Sequence, residues 1–153
     1  MASLENALEQ CREGLRHGLD AAYFMNAAKV YDLCADDEPA QRQRWLELAL
    51  AEARKSVEFV EHSRQRLPEA YESCGVLLCK LERPAEALPY FQKLCALDPR
   101  SVQRLGMLAE AQLQAGDRAA ALATFRRALA LAPRGSADYA ALAQAIAELS
   151  AGR

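Results

Sequence analysis

Glycine is scarce in this chain of 153 residues, with seven in all, and proline numbers six. The glycines stand singly as punctuation, which argues against low-complexity disorder and against a sheet-rich fold. No apolar run approaches the roughly 18 residues needed to span a bilayer. The opening Met1-Ala2-Ser3-Leu4-Glu5 lacks the basic start and apolar core of a secretory signal. Neither sign of charge dominates, since 19 basic residues face 21 acidic ones. That balance predicts no nucleic-acid or membrane-surface partner held by charge alone. A soluble, cytoplasmic protein is the expectation.

Chemistry is equally thin. Histidine occurs twice, at His17 and His62, and neither has zinc-like spacing to a cysteine. The five cysteines (Cys11, Cys34, Cys74, Cys79 and Cys95) form no C-x2-C pair, and an odd number suits a reducing compartment better than a disulfide framework. They read as structural thiols, with Cys74 and Cys95 packing inward as small hydrophobes. There is no phosphate-cradling glycine loop, no G-x-S-x-G elbow and no H-E-x-x-H. Carboxylates alternate with bases on helix faces, the pattern of a solvated surface. The reading is therefore no enzyme, no metal and no cofactor. Function has to come from a surface.

What the chain does contain is a sentence written twice. Pro99 and Pro133 lie 34 residues apart, and at the same offset Ala87 meets Ala121, Leu88 meets Leu122, Phe91 meets Phe125, Leu97 meets Leu131 and Arg100 meets Arg134. One copy runs Tyr71-x2-Cys74-Gly75-x2-Leu78, Ala87-x3-Phe91, Pro99. The next runs Leu105-x2-Leu108-Ala109-x2-Gln112, Ala121-x3-Phe125, Pro133. Small residues stand where helices approach closely, the phenylalanines fill the gaps they leave, and the prolines stop the second helix of each pair. Asp117 after Gly116 reads as a helix cap. In the first copy Glu82 stands where that glycine would be, and Pro84 starts the helix instead. Pro89 lies further in, where it should cost a hydrogen bond and bend the helix.

The pattern resembles the tetratricopeptide repeat, W-x2-L-G-x2-Y, A-x3-F, P. The resemblance implies an all-α fold: a TPR-like antiparallel helix-pair solenoid with an atypical N-terminal helical region and a C-terminal capping helix. One domain over 1–153 is expected, with repeats at 68–101 and 102–135. Helix pairs are placed near 68–81 with 84–97 and 102–115 with 117–131, and Ser136 caps a last helix over 136–150.

The stretch 1–67 is less regular. Ser3 can cap a first helix, and Asp20 a second running to about Ala35, with Tyr23, Ala27, Val30, Tyr31 and Cys34 on one side. Tyr23-x2-Asn26-Ala27-x2-Val30 matches the repeat loosely and favours a degenerate first repeat. Asp36-Asp37-Glu38-Pro39 signals a helix start. The run from Ala40 to Arg66 predicts a helix of about 40 Å with an interrupted apolar stripe of Trp45, Leu48, Ala49, Val57, Val60 and Leu67. Trp45 reads as core.

By resemblance, stacked first helices line a concave groove that holds a peptide or helix of another protein. The groove positions here are Phe24, Met25, Ala28, Tyr31 and Asp32, then Glu69, Glu72, Ser73, Val76, Cys79 and Lys80, then Gln103, Gly106, Met107, Glu110, Leu113 and Gln114, with Ala140, Ala141 and Gln144 at the end. The cationic clamp by which one variety of the family grips C-terminal carboxylates is absent. Its places hold Phe24, Ala28, Ser73, Gln103 and Met107, or Glu72, Val76, Met107, Ala137 and Ala141. The expected function is a non-enzymatic adaptor or chaperone-like module, binding a protein segment in a mostly apolar groove. The alternative is self-assembly, a homodimer formed through the N-terminal helices.

Overall fold

Proline sets several of the helix boundaries. The residue before a proline is driven out of the helical basin by the ring, and Leu67, Arg83 and Glu38, each preceding one, have φ/ψ of −130°/82°, −116°/52° and −123°/76°. The same clash ends helices, at Asp98 (−148°/89°) before Pro99 and at Ala132 (−69°/136°) before Pro133. Where proline is missing, side chains take over. Asp117 accepts from the Ala120 amide at 2.9 Å, Ser101 from that of Arg104 at 3.3 Å and Ser136 from that of Tyr139 at 3.1 Å.

A computed structural model describes residues 21–63 and 66–151. Seven α-helices make up the described residues: α1 (Ala21–Asp37), α2 (Arg42–Ser63), α3 (Pro68–Lys80), α4 (Pro84–Leu97), α5 (Val102–Gln114), α6 (Arg118–Leu131) and α7 (Ala137–Ala151). A single 3-10 turn, Pro39–Gln41, leads into α2. No strand occurs among the described residues, and the fold is an all-α helical repeat. The expected helix and cap at Ser3 and the cap at Asp20 lie outside them.

The chain divides into two compact units, the first ending at Glu82 and the second beginning at Arg83. In unit 1, α1 and α2 pack antiparallel. The Ser56 hydroxyl, the one buried polar side chain among the described residues, donates to the Ala21 carbonyl at 3.0 Å. At the other end Tyr31 stacks on Trp45, with ring centroids 6.0 Å apart. Trp45 is thus half-buried, with its indole N–H donating to Glu38 at 3.2 Å, and is not the core residue expected of it. The stripe of α2 also needs correction. Leu48 is exposed, while Leu46, Ala49, Leu50, Ala53, Ser56, Val57 and Val60 are buried. Their spacing is continuous at helical period once alanine and serine are counted. At 22 residues, α2 is about 33 Å long, short of the expected 40 Å.

In unit 2, α5 lies between α4 and α6, and α7 packs on α6. Phe91 and Phe125 are both buried, as their equivalence in the repeat requires. α4 continues unbroken through the exposed Pro89. α7 buries Leu142 alone, leaving Tyr139, Ala143 and Ile146 half-covered.

Candidate functional site

α1 and α3 lie side by side in unit 1, and the register between them is measurable. Lys80 reaches Asp32 with its ammonium 2.7 and 2.8 Å from the two carboxylate oxygens, a sequence separation of 48. The loose repeat match at Tyr23 and the clear one at Tyr71 are offset by that same number. Equivalent turns of the two helices therefore face each other. The inserted length lies in the 3-10 turn and the long α2.

Above this ion pair runs a groove of about 390 Å³. Met25 and Ala28 of α1 and Val76 and Leu77 of α3 supply its apolar walls, and Ser73 leaves room between them. Asp32, neutralised by Lys80, closes one end. Glu69 and Glu72 stand over the opening, with no ion pair or hydrogen bond to their side chains among the described residues, and Lys29 lies across from them. Chemically this is an apolar trough with a mainly acidic lip.

The expected groove residues divide accordingly. Met25, Ala28, Asp32, Glu69, Glu72, Ser73 and Val76 line the trough. Phe24 does not: it borders a separate recess with Lys55, Glu58, Phe59 and His62, edge-on to Tyr23 and under the Lys55 ammonium at 6.0 Å. Tyr31 turns toward Trp45, and Cys79 is half-buried outside the lining. Both aromatics are taken up by packing against α2. Met107, Glu110 and Leu113 belong to unit 2 and share the outer face of α5, where Leu113 is 40% exposed. On that face a side-chain carbon at Gly106 would meet nothing within 4 Å. Residues absent from the expected site yet lining the trough are Asn26, Lys29 and Leu77. Lys29 lies one turn from Met25, so helical periodicity would have found it, whereas Asn26 is Met25's neighbour in sequence and points round the helix from it.

Three of the thiols are held in their protonated form by burial. Burial pushes the Cys74 thiol up to about 12, opposed only weakly by the Arg54 charge. Burial also raises Cys34, with help from Glu38, and Cys95, against the pull of Arg127 and Arg104. No cluster of metal-ligating side chains occurs among the described residues, and none of their helices is long and apolar enough to cross a membrane.

A family model described as the tetratricopeptide repeat matches residues 79–146. Among solved structures, TTC0263, a thermophilic TPR protein of Thermus thermophilus, is similar at a TM-score of 0.70 and 20% identity, over 96% of this chain and 71% of that one. The MamA RS-1 ArsTM double mutant is similar at 0.70 and 17%, over 97% and 84%. YrrB, described as a TPR protein with an unusual peptide-binding site, is similar at 0.54 and 16%, over 98% and 77%. At these identities the likeness is one of fold. No curated protein matches the sequence.

Proposed function

We propose that the chain, which matches a tetratricopeptide repeat model over residues 79–146 and shares the fold of such proteins, is a non-enzymatic adaptor whose unit-1 trough holds a segment of another protein. The fold itself points to protein–protein interaction, the general work of such modules. The observation that carries the finer reading is the trough between α1 and α3, walled by Met25, Ala28, Val76 and Leu77 under the lip of Glu69 and Glu72. An amphipathic helix or extended segment fits it when it brings an apolar anchor and a positive charge. Methionine in the wall adapts to anchors of varied shape. Met107, Glu110 and Leu113 offer a further contact face on α5. YrrB, a structural neighbour with a peptide-binding site of its own, lends the reading support by analogy.

The test compares proteins captured from the native host by the wild type and by Val76→Glu, with Met107→Glu probing the second face. Loss of a buried anchor should weaken binding by about 2 kcal/mol or more, with the helical spectrum kept. Undiminished capture by Val76→Glu rejects the trough as the site. Unfolding of either variant would assign that residue to the core. A mass in solution corresponding to a dimer that covers the trough would favour self-assembly instead.

A further inference from the structure

Charge is balanced over the chain but not along it. The unit ending at Glu82 has fifteen acidic and ten basic residues, and the one beginning at Arg83 has six and nine. Within unit 2 the sorting goes further. α4 and α6 both pack on α5 across short turns, so they run parallel and their C-terminal ends share an edge. At that edge stand Lys93, Arg100, Arg104, Arg126, Arg127 and Arg134, against Asp98 and Asp138. The register repeats the motif, since 34 residues separate Lys93 from Arg127 and Arg100 from Arg134.

Part of this charge serves the fold. Arg127 donates to the Pro99 carbonyl in the turn after α4 at 3.1 Å, and Arg104 to that of Leu94 at 3.5 Å, a carbonyl that the end of α4 leaves open. Those bonds also tie α6 and α5 to the end of α4, making the edge one surface. Of the other four, Lys93 has an interaction of its own, and Arg100, Arg126 and Arg134 remain. All three are exposed, and their guanidinium groups have no partner among the described residues. The helix dipole favours cations only within the last turn, and Arg126 lies more than a turn before the end of α6.

We propose that this edge docks an acidic segment of a partner protein, a run of aspartate and glutamate side chains, apart from the trough of unit 1. Five of the six cations are arginine, whose planar fork pairs a carboxylate through two hydrogen bonds at once. A long polyanion would also meet the net negative charge of the whole chain, formally −2. A short acidic segment meets the edge alone.

The probe is a fluorescent peptide of about eight glutamates, followed by anisotropy near physiological salt, about 0.15 M. Wild type should bind it, and the double variant Arg126→Glu, Arg134→Glu should bind at least about tenfold more weakly with an unchanged helical spectrum. Val76→Glu should bind it as wild type does. The proposal is overturned if the peptide does not bind at that salt or if the double variant binds equally well. Tighter binding of a single-stranded oligonucleotide or an anionic vesicle than of the peptide overturns it too.

Discussion

Glu82 sits between α3 and α4 with φ at +59°, and Gly116 occupies the matching turn between α5 and α6 at +86°. A side chain in the left-handed basin crowds its own carbonyl, at roughly 1–2 kcal/mol for an L-residue. Glycine escapes that crowding but loses more freedom on folding. Glu82→Gly is therefore expected to stabilise by up to about 1 kcal/mol in denaturant titration, and Gly116→Ala to destabilise by a similar amount. A loss on Glu82→Gly would show that the carboxylate contributes more than the backbone strain costs. The thiols make a second case. Cys34, Cys74 and Cys95 are buried and Cys79 is half-buried, so among these four a thiol reagent should label Cys79 first and the other three slowly. The sign of the pH effect follows. A Cys74 thiol held up to about 12 stays protonated when the unfolded chain, near its ordinary 9.0, has lost its proton. Stability from this group is thus intact below pH 9.0 and falls as pH rises toward 12, a loss that Cys74→Ala should remove.

Phe91 and Phe125 each fill the space left by an alanine one turn before, Ala87 and Ala121, and all four are buried. Truncating either phenylalanine to alanine leaves a cavity, and thermal melts should show a cost of about 3–5 kcal/mol. Costs below about 1 kcal/mol for both would mean that these helices do not share their core through the rings. The 34-residue register made α3 to α7 legible, because prolines and short polar caps act within a residue or two of where they stand. α2 was harder to read. Three of its seven buried residues are alanine or serine, so the larger Trp45 and Leu48 drew the stripe to the wrong side, away from Leu46 and Leu50. The trough was readable as far as it depends on α1 and α3, through Met25, Ser73 and Val76. Phe24 and Tyr31 escaped because their direction is fixed by α2, whose length breaks the repeat period.

The two units differ in what they take from the family pattern. Unit 2 keeps the 34-residue period and falls within the matched segment for most of its length, while unit 1 spaces its equivalent helices by 48 residues and lies outside that match up to Cys79. The charge pattern was invisible in composition, since a near-zero total hides where each sign collects. In unit 2 the six cations stand at one end of the helices. The other end carries Glu86, Asp117 and Glu148, with Arg83 paired to Glu86 and Arg118 donating to the Leu149 carbonyl. An anion approaching such a unit exerts a torque on it before there is contact, drawing the arginine end round while still about a Debye length away, about 8 Å in physiological salt. Stopped-flow mixing with an acidic peptide should then show association slowing steeply as salt rises while dissociation changes little. What looks like an even balance of signs on paper behaves in solution as a compass needle, spending its charge on the speed of encounter.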